Sequence, residues 1–178
     1  MDQYAICMGS CIYLDTKDDS VQSFDVPLCP KEGTSDGSVS WSLVVAASGV
    51  PKDTEGTLSH LKSSQQHALA LLKQRDPSFD YTVPILDTAE VARLSKTVQA
   101  IEAAAAPFCS AALGNHAITV KAREELCRLA LDEEETNPSN AAQSTKHGKL
   151  AALQRLGALI NAHHAHLRDD LGITVRER

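Results

Sequence analysis

The chain has 178 residues, a length that suits one domain and can fold without disulfides or a structural metal. Hydrophobic residues make up 43% and aromatic residues only 4%, which excludes a disordered chain and favours helices packed through small aliphatic side chains. The net charge is −6 and no run of Lys or Arg could follow a phosphate backbone, so we expect no nucleic-acid partner, while a basic protein partner would suit the charge.

The compartment is predicted from the N-terminus and the cysteines. Residues 1–8 lack a basic stretch and a long apolar run, so a signal peptide is not expected. No segment approaches the roughly 20 apolar residues of a membrane-spanning helix. The cysteines are odd in number and irregularly spaced, which favours reduced thiols. The sequence therefore predicts a cytoplasmic protein with no membrane contact.

The first 50 residues show sequence patterns typical of β-strands. Short runs rich in apolar or β-branched residues predict strands over residues 4–8, 12–14, 21–26 and 39–47. The stretch 30–38 between the last two is dense in turn-forming residues. It contains a G-x-S-x-G pattern, but a hydrolase nucleophile elbow must follow a strand and open a helix, so a turn explains these glycines better. We expect a small antiparallel meander of three or four strands.

The apolar period changes to that of a helix from residue 53 onward. A first helix is predicted from Asp53 or Thr54 to just before Asp76. A second begins at Asp87, with Glu90 at the spacing of a capping box, and is expected to stop at Pro107. The first helix is expected to carry Leu58, Leu61, Ala68, Leu69 and Leu72 on its apolar positions, and the second to bury Val91, Leu94, Val98 and Ile101.

Two more helices complete the predicted fold. The third is expected over residues 117–133, with His116 in a Gly-Asn-His turn at its N-terminal boundary, and the fourth over 141–170, closed by Gly172. The sequence thus predicts an α+β fold in which the N-terminal meander packs on a mainly helical C-terminal assembly of three to four helices. We expect one domain over residues 1–178, with a β-rich part at 1–50, a helical part at 53–135 and a long amphipathic helix at 141–171.

A cluster of histidines near the C-terminus is the candidate metal site. His163, His166 and Asp170 share one helical edge, because residues three and four apart are neighbours on a helix. Two imidazoles and a carboxylate are suitable ligands for a divalent metal. The remaining ligand would come from water or from one of Glu133, Glu134 and His147. The competing interpretation is a solvated helix end, because helical metal sites usually draw ligands from several helices.

The apolar face of the same helix is the candidate interface. A leucine-rich arc that needs covering suits a second chain, so we expect a homo-oligomer. The predicted interface residues are Leu153, Leu156, Ile160, His164, Leu167 and Leu171.

No motif in a suitable structural context points to an enzyme. We therefore expect a non-enzymatic protein that needs no cofactor and works by macromolecular binding, as an adaptor, inhibitor, immunity-type or assembly protein, with self-association through the C-terminal helix. One alternative is a metal-dependent helical enzyme using His163, His166 and Asp170. Another is a small-ligand sensor with a pocket between the meander and the helices, near Trp41.

Overall fold

The computed structural model describes residues 6–8, 11–24, 53–131 and 141–173. They form two compact units, each treated separately below. One consists of residues 6–8, 11–24, 122–131 and 141–158, and the other of residues 53–121 and 159–173.

After a helical stretch at residues 6–8, the described elements are two strands followed by four long helices. In chain order they are β1 (Cys11–Asp15), β2 (Ser20–Phe24), α1 (Thr54–Arg75), α2 (Thr88–Ile101), a 3-10 turn (Ala103–Ala105), α3 (Ala106–Leu131), α4 (Ala141–Ala165) and a π-helical turn (His166–Asp170). The predicted α+β fold is confirmed, with an N-terminal antiparallel β-hairpin and a mainly helical remainder.

The hairpin contributes Phe24 to the core of the first unit. β1 and β2 pair antiparallel, with Cys11 opposite Phe24. Phe24 is buried against Leu126 and Leu129 of α3 and Ala152 of α4. Two isolated strands are marginally stable in water, so these contacts hold the hairpin in place.

A polar contact ties the same hairpin to α3. The Arg123 guanidinium lies 4.7 Å from the Tyr13 ring centroid and its Nε donates to Gln22 Oε1 at 2.8 Å. Below it, the buried Glu125 carboxylate contacts Arg128 and lies 2.9 Å from Arg155 Nη2. The two arginines offset the cost of burying that carboxylate because they bring positive charge to it, while their own guanidinium groups stay half-exposed and lose little hydration.

The second unit is built on α1 and α2, whose beginnings are as the sequence predicted. Asp53 and Asp87 each accept a backbone N–H of the first turn, from Gly56 and Ala89 respectively. Glu90 does not close the capping box and instead pairs with Arg93 at 2.6 Å. The core is one cluster of buried residues from three helices and the 3-10 turn: Ala68, Leu71, Leu72, Val91, Leu94, Val98, Ala105, Cys109 and Leu113.

Three expectations about elements are wrong. Residues 6–8, expected in a strand, are helical, because a short apolar run has no periodicity that separates strand from helix. α3 begins at Ala106 rather than near residue 117, so Pro107 lies in its first turn, where its missing N–H costs nothing. His116 accordingly lies inside a helix.

Two predicted core residues lie at the surface instead. Leu58 and Ile101 are exposed, since each lies near a helix end. The predicted strand over 39–47, the G-x-S-x-G stretch and Trp41 lie outside the described residues. None of the helices in the described ranges combines the length and apolar character needed to cross a membrane.

Candidate functional site

The three residues of the predicted metal site have different partners. His166 Nδ1 donates to Asp170 Oδ2 at 2.6 Å, whereas His163 Nδ1 donates to Asn115 Oδ1 of α3 at 2.9 Å. The structure therefore brings His166 and Asp170 together and directs the Nδ1 atom of His163 to a different residue.

The His166 ring packs against α3 at Gly114. A Cβ atom at position 114 would lie 2.4 Å from His166 Nε2, so the glycine is what allows this close approach. The Gly-Asn pair before His116, expected to be a turn, is therefore a contact surface within a helix. The bond to Asp170 fixes the His166 ring that contacts α3 at Gly114, so we assign this pair a structural role.

The described residues contain no group of three or more His, Cys, Asp or Glu side chains placed to hold a metal ion. The side chains of Glu133, Glu134 and His147 lie outside the described part of the structure. The metal site and the metal-dependent enzyme stay predictions from sequence, and no ready-made set of ligands is present among the residues described.

The residues of the predicted leucine face differ in exposure. Leu153 and Leu156 pack on the first unit's core beside Phe24. Leu167 and Leu171 are half-buried in the second unit. Ile160 is 62% exposed, and His164 is exposed as well. Of the six residues predicted to form the interface, Ile160 and His164 are the exposed ones.

A more prominent apolar surface lies on the α1–α2 loop (residues 76–87). Tyr81 and Val83 are 59% and 60% exposed, and Leu86 is 42% exposed. Phe79 and Ile85 of the same loop pack against the core of the second unit. The loop thus anchors itself with two apolar side chains while it presents three others to solvent.

Two lysines, one from α1 and one from α3, hold the loop by hydrogen bonds to its backbone carbonyls. Lys73 Nζ of α1 donates to the Phe79 carbonyl at 2.7 Å, and Lys121 Nζ of α3 donates to the Leu86 carbonyl at 3.0 Å. Backbone carbonyls in a loop lack helix or strand partners, so each lysine satisfies one that would otherwise rely on water. These contacts hold the two ends of the loop.

Two short side-chain turns also fix the first half of the loop backbone. Asp76 Oδ1 accepts from the Ser78 backbone N–H at 2.9 Å and from the Ser78 hydroxyl at 2.6 Å, and Asp80 Oδ1 accepts the same pair of bonds from Thr82 at 2.9 and 2.7 Å. The bonds from Ser78 hold the pKa of Asp76 below its usual value, so this carboxylate stays charged at neutral pH. The exposed apolar side chains therefore stand on a backbone that is already ordered.

Two thiols are poor candidates for a nucleophile. Burial raises the pKa of Cys109, which lies in the core of the second unit, and also raises the pKa of Cys11 on β1. Because the thiolate is the reactive form, both are less reactive than a free cysteine at neutral pH.

Sequence reasoning did not single out the α1–α2 loop as a surface. A signal was present, since Asp-x-Ser and Asp-x-Thr turns alternate here with aromatic and β-branched residues. Which of those residues point to solvent depends on the packing of Phe79 and Ile85, and that is a tertiary property. No family model, curated protein or solved structure matches this chain.

Proposed function

We propose that this protein acts by binding another protein through its α1–α2 loop. The observation that supports this is the exposure of Tyr81, Val83 and Leu86 on one ordered loop. Exposed apolar side chains grouped in this way are typical of protein–protein interfaces. An ordered loop also loses little conformational entropy on binding, which favours affinity. Macromolecular binding of this kind fits an adaptor, inhibitor or assembly protein.

The partner we propose has an apolar patch bordered by basic side chains. Asp76, Asp80 and Asp87 lie along the loop and are exposed, so the loop that presents the apolar side chains also carries three acidic residues. The whole chain carries a net charge of −6, which adds a long-range attraction for a basic surface. Such a contact weakens as salt increases, because exposed charges are screened. The thiols of Cys7, Cys11, Cys109 and Cys127 are unpaired, which supports a cytoplasmic setting for the interaction.

Photo-crosslinking and direct titration would test the loop. We expect a photoreactive residue at position 81 to capture a partner that the same residue at position 58 does not, because Leu58 is exposed but lies outside the loop. The purified partner should bind the Tyr81→Asp, Val83→Asp double variant at least about tenfold more weakly, since interface aromatics carry much of the binding free energy.

The matched control is Leu58→Asp, which introduces a charge at an exposed apolar position on α1 and should leave the affinity unchanged. Equal capture from positions 81 and 58, or an affinity that the double variant leaves intact, would contradict the proposed surface. An affinity that does not fall with increasing salt would contradict the basic border of the partner.

We also propose that the protein self-associates through α4, at Ile160 and His164. These residues are one helical turn apart and both face solvent, so they would be covered by the same surface of a second copy. Deleting the whole helix would not test this, because Ala152, Leu153 and Leu156 pack on the core beside Phe24. A point substitution at an exposed position is the suitable probe.

We expect Ile160→Asp to shift the protein from dimer to monomer in sedimentation velocity over a concentration series. Burying an unpaired carboxylate at the centre of a small apolar contact costs more free energy than the contact contributes to association. Leu58→Asp is again the control and should sediment as the unmodified chain does. A chain that is monomeric at all concentrations without any substitution would refute self-association.

A further inference from the structure

A pocket of about 380 Å³ lies beside the α1–α2 loop, within the second unit. One wall is a face of α1, formed by residues three and four apart, and the other is the beginning of the loop. The lining includes Gln66, Leu69, Ala70, Lys73, Phe79 and Tyr81. Ligand pockets in proteins span roughly 300–1,000 Å³, so this one is near the small end of the range and has room for one bulky group.

The inner part of the pocket is apolar and its opening is polar. Leu69 and Phe79 are half-buried and pack against the core of the second unit, whereas Gln66 and Lys73 are exposed. Ala70 leaves the space between them open because its side chain is a single methyl group. The pocket therefore suits an apolar group whose attached polar atoms stay at the opening.

The donors at the opening suit the backbone of a polypeptide. Lys73 Nζ donates one hydrogen bond to the Phe79 carbonyl, and an ammonium carries three donors. Its other donors and the side-chain amide of Gln66 can bind further carbonyl oxygens. A side chain within a polypeptide brings such carbonyls with it, because its own residue and the preceding residue each carry one.

Tyr81 joins the pocket to the exposed apolar surface of the loop. Its side chain lines the pocket and is 59% exposed, so a partner that covers Tyr81 also covers the opening. Protein interfaces commonly insert an aromatic anchor into a pocket of this kind. The loop is acidic as well, and the bonds from Ser78 that lower the pKa of Asp76 keep that carboxylate charged, which favours a basic segment.

We propose that the pocket takes one aromatic side chain of the protein partner, from a segment in which basic residues flank that side chain. The ring packs between Leu69, Phe79 and Tyr81, and two of these three walls are aromatic, which favours an aromatic occupant over an aliphatic one. The neighbouring backbone carbonyls of the partner accept from Lys73 and Gln66. This inference rests on the proposed function and adds to it the chemistry by which the partner is recognised.

Saturation-transfer NMR of the full-length protein with blocked tripeptides tests the pocket without the partner. The reference peptide has phenylalanine between two lysines, and the others carry leucine or alanine in the centre, or glutamate at both ends. We expect saturable binding of the reference peptide, roughly threefold or more weaker binding with leucine, and none with alanine. The glutamate peptide should bind more weakly than the reference, by a factor that shrinks as salt increases.

Methyl-labelled alanine in the protein locates the site. The reference peptide should shift the NMR signal of the Ala70 methyl group and leave that of Ala92, an exposed residue of α2, unchanged. Ala70→Leu fills the pocket and should abolish saturable binding, whereas Ala92→Leu is the matched control and should preserve it. Circular dichroism would show that both variants are folded.

The purified partner separates this inference from the proposed function. Ala70→Leu should weaken its binding at least about tenfold, as the Tyr81→Asp, Val83→Asp double variant does. An affinity lowered by the double variant but not by Ala70→Leu would leave the loop as the interface and overturn the anchor in the pocket. An affinity lowered by neither would contradict the proposed function as well.

The peptide series has its own contrary outcomes. A reference peptide without saturable binding, or an alanine peptide that binds equally well, would exclude an aromatic side chain as the occupant. Free L-phenylalanine that binds more tightly than the reference peptide would assign the pocket to a small molecule. Equal binding of the glutamate peptide would exclude the basic segment. Binding that persists in the folded Ala70→Leu variant would place the peptide elsewhere.

Discussion

Substituting Phe24 by Ala is expected to lower the free energy of unfolding by about 3–5 kcal/mol, the range for truncating a buried aromatic side chain. Phe24 is 2% exposed and ends β2 opposite Cys11. Its ring packs against α3 and α4 through Leu126, Leu129 and Ala152. Truncation leaves a cavity among these side chains and removes the main apolar contact of a hairpin that has only two described strands.

Urea unfolding followed by circular dichroism measures this loss. Ser23→Ala is the control, because Ser23 neighbours Phe24 on the same strand but is exposed, and a surface substitution of this kind changes stability by about 0.5 kcal/mol or less. A loss below about 1 kcal/mol for Phe24→Ala would show that the hairpin contributes little to stability. Hydrogen exchange at β1 and β2 would then distinguish a hairpin that is retained from one that is detached in both proteins.

The helices that sequence predicted correctly are those whose ends carry local signals. Asp53 and Asp87 cap α1 and α2 with their own side chains, and such caps are visible in the sequence because they act over two or three residues. Gly172 adopts a φ of +62°, as expected of a residue that closes a helix. These features depend on neighbours along the chain and not on the rest of the fold.

The part of α3 that sequence misplaced makes distant contacts. Gly114 and Asn115 are weak helix formers, and so they were expected to separate two elements. In the fold they receive His166 and His163 from a segment about 50 residues further along the chain. The same limit applies to the candidate site: the histidines were identified from their spacing, but their partners on α3 could not be.

The contact between the His166 ring and Gly114 leads to a second prediction. Substituting glycine by alanine is expected to have opposite effects on stability at two helical glycines. Gly157→Ala in α4 is expected to stabilise the protein by about 0.5–1 kcal/mol, because the added methyl group would meet nothing within 4 Å beyond its own stretch of helix backbone and alanine loses less backbone entropy in a helix. Gly114→Ala is expected to destabilise it by about 1–3 kcal/mol. The same gain in helix propensity applies at position 114, but the steric clash of the added methyl group there costs more than that gain.

The reason is the His166 ring. The new Cβ at position 114 would lie 2.4 Å from Nε2 and 2.7 Å from Cε1, so the imidazole must move. That movement pulls Nδ1 away from Asp170 Oδ2, which it now contacts at 2.6 Å, in a pair whose two side chains are about three-quarters buried. The π-helical turn that carries both residues then loses its contact with α3.

Thermal and urea unfolding of both variants, with a double-mutant cycle, would test this explanation. In a protein that already carries His166→Ala, Gly114→Ala should no longer be destabilising, because the ring it displaces is absent. A loss that persists in that background would assign the cost to the backbone of α3 and not to the imidazole. If Gly114→Ala were as stabilising as Gly157→Ala, the His166 ring would have to move at no cost, and the structural role given to the His166–Asp170 pair would be wrong.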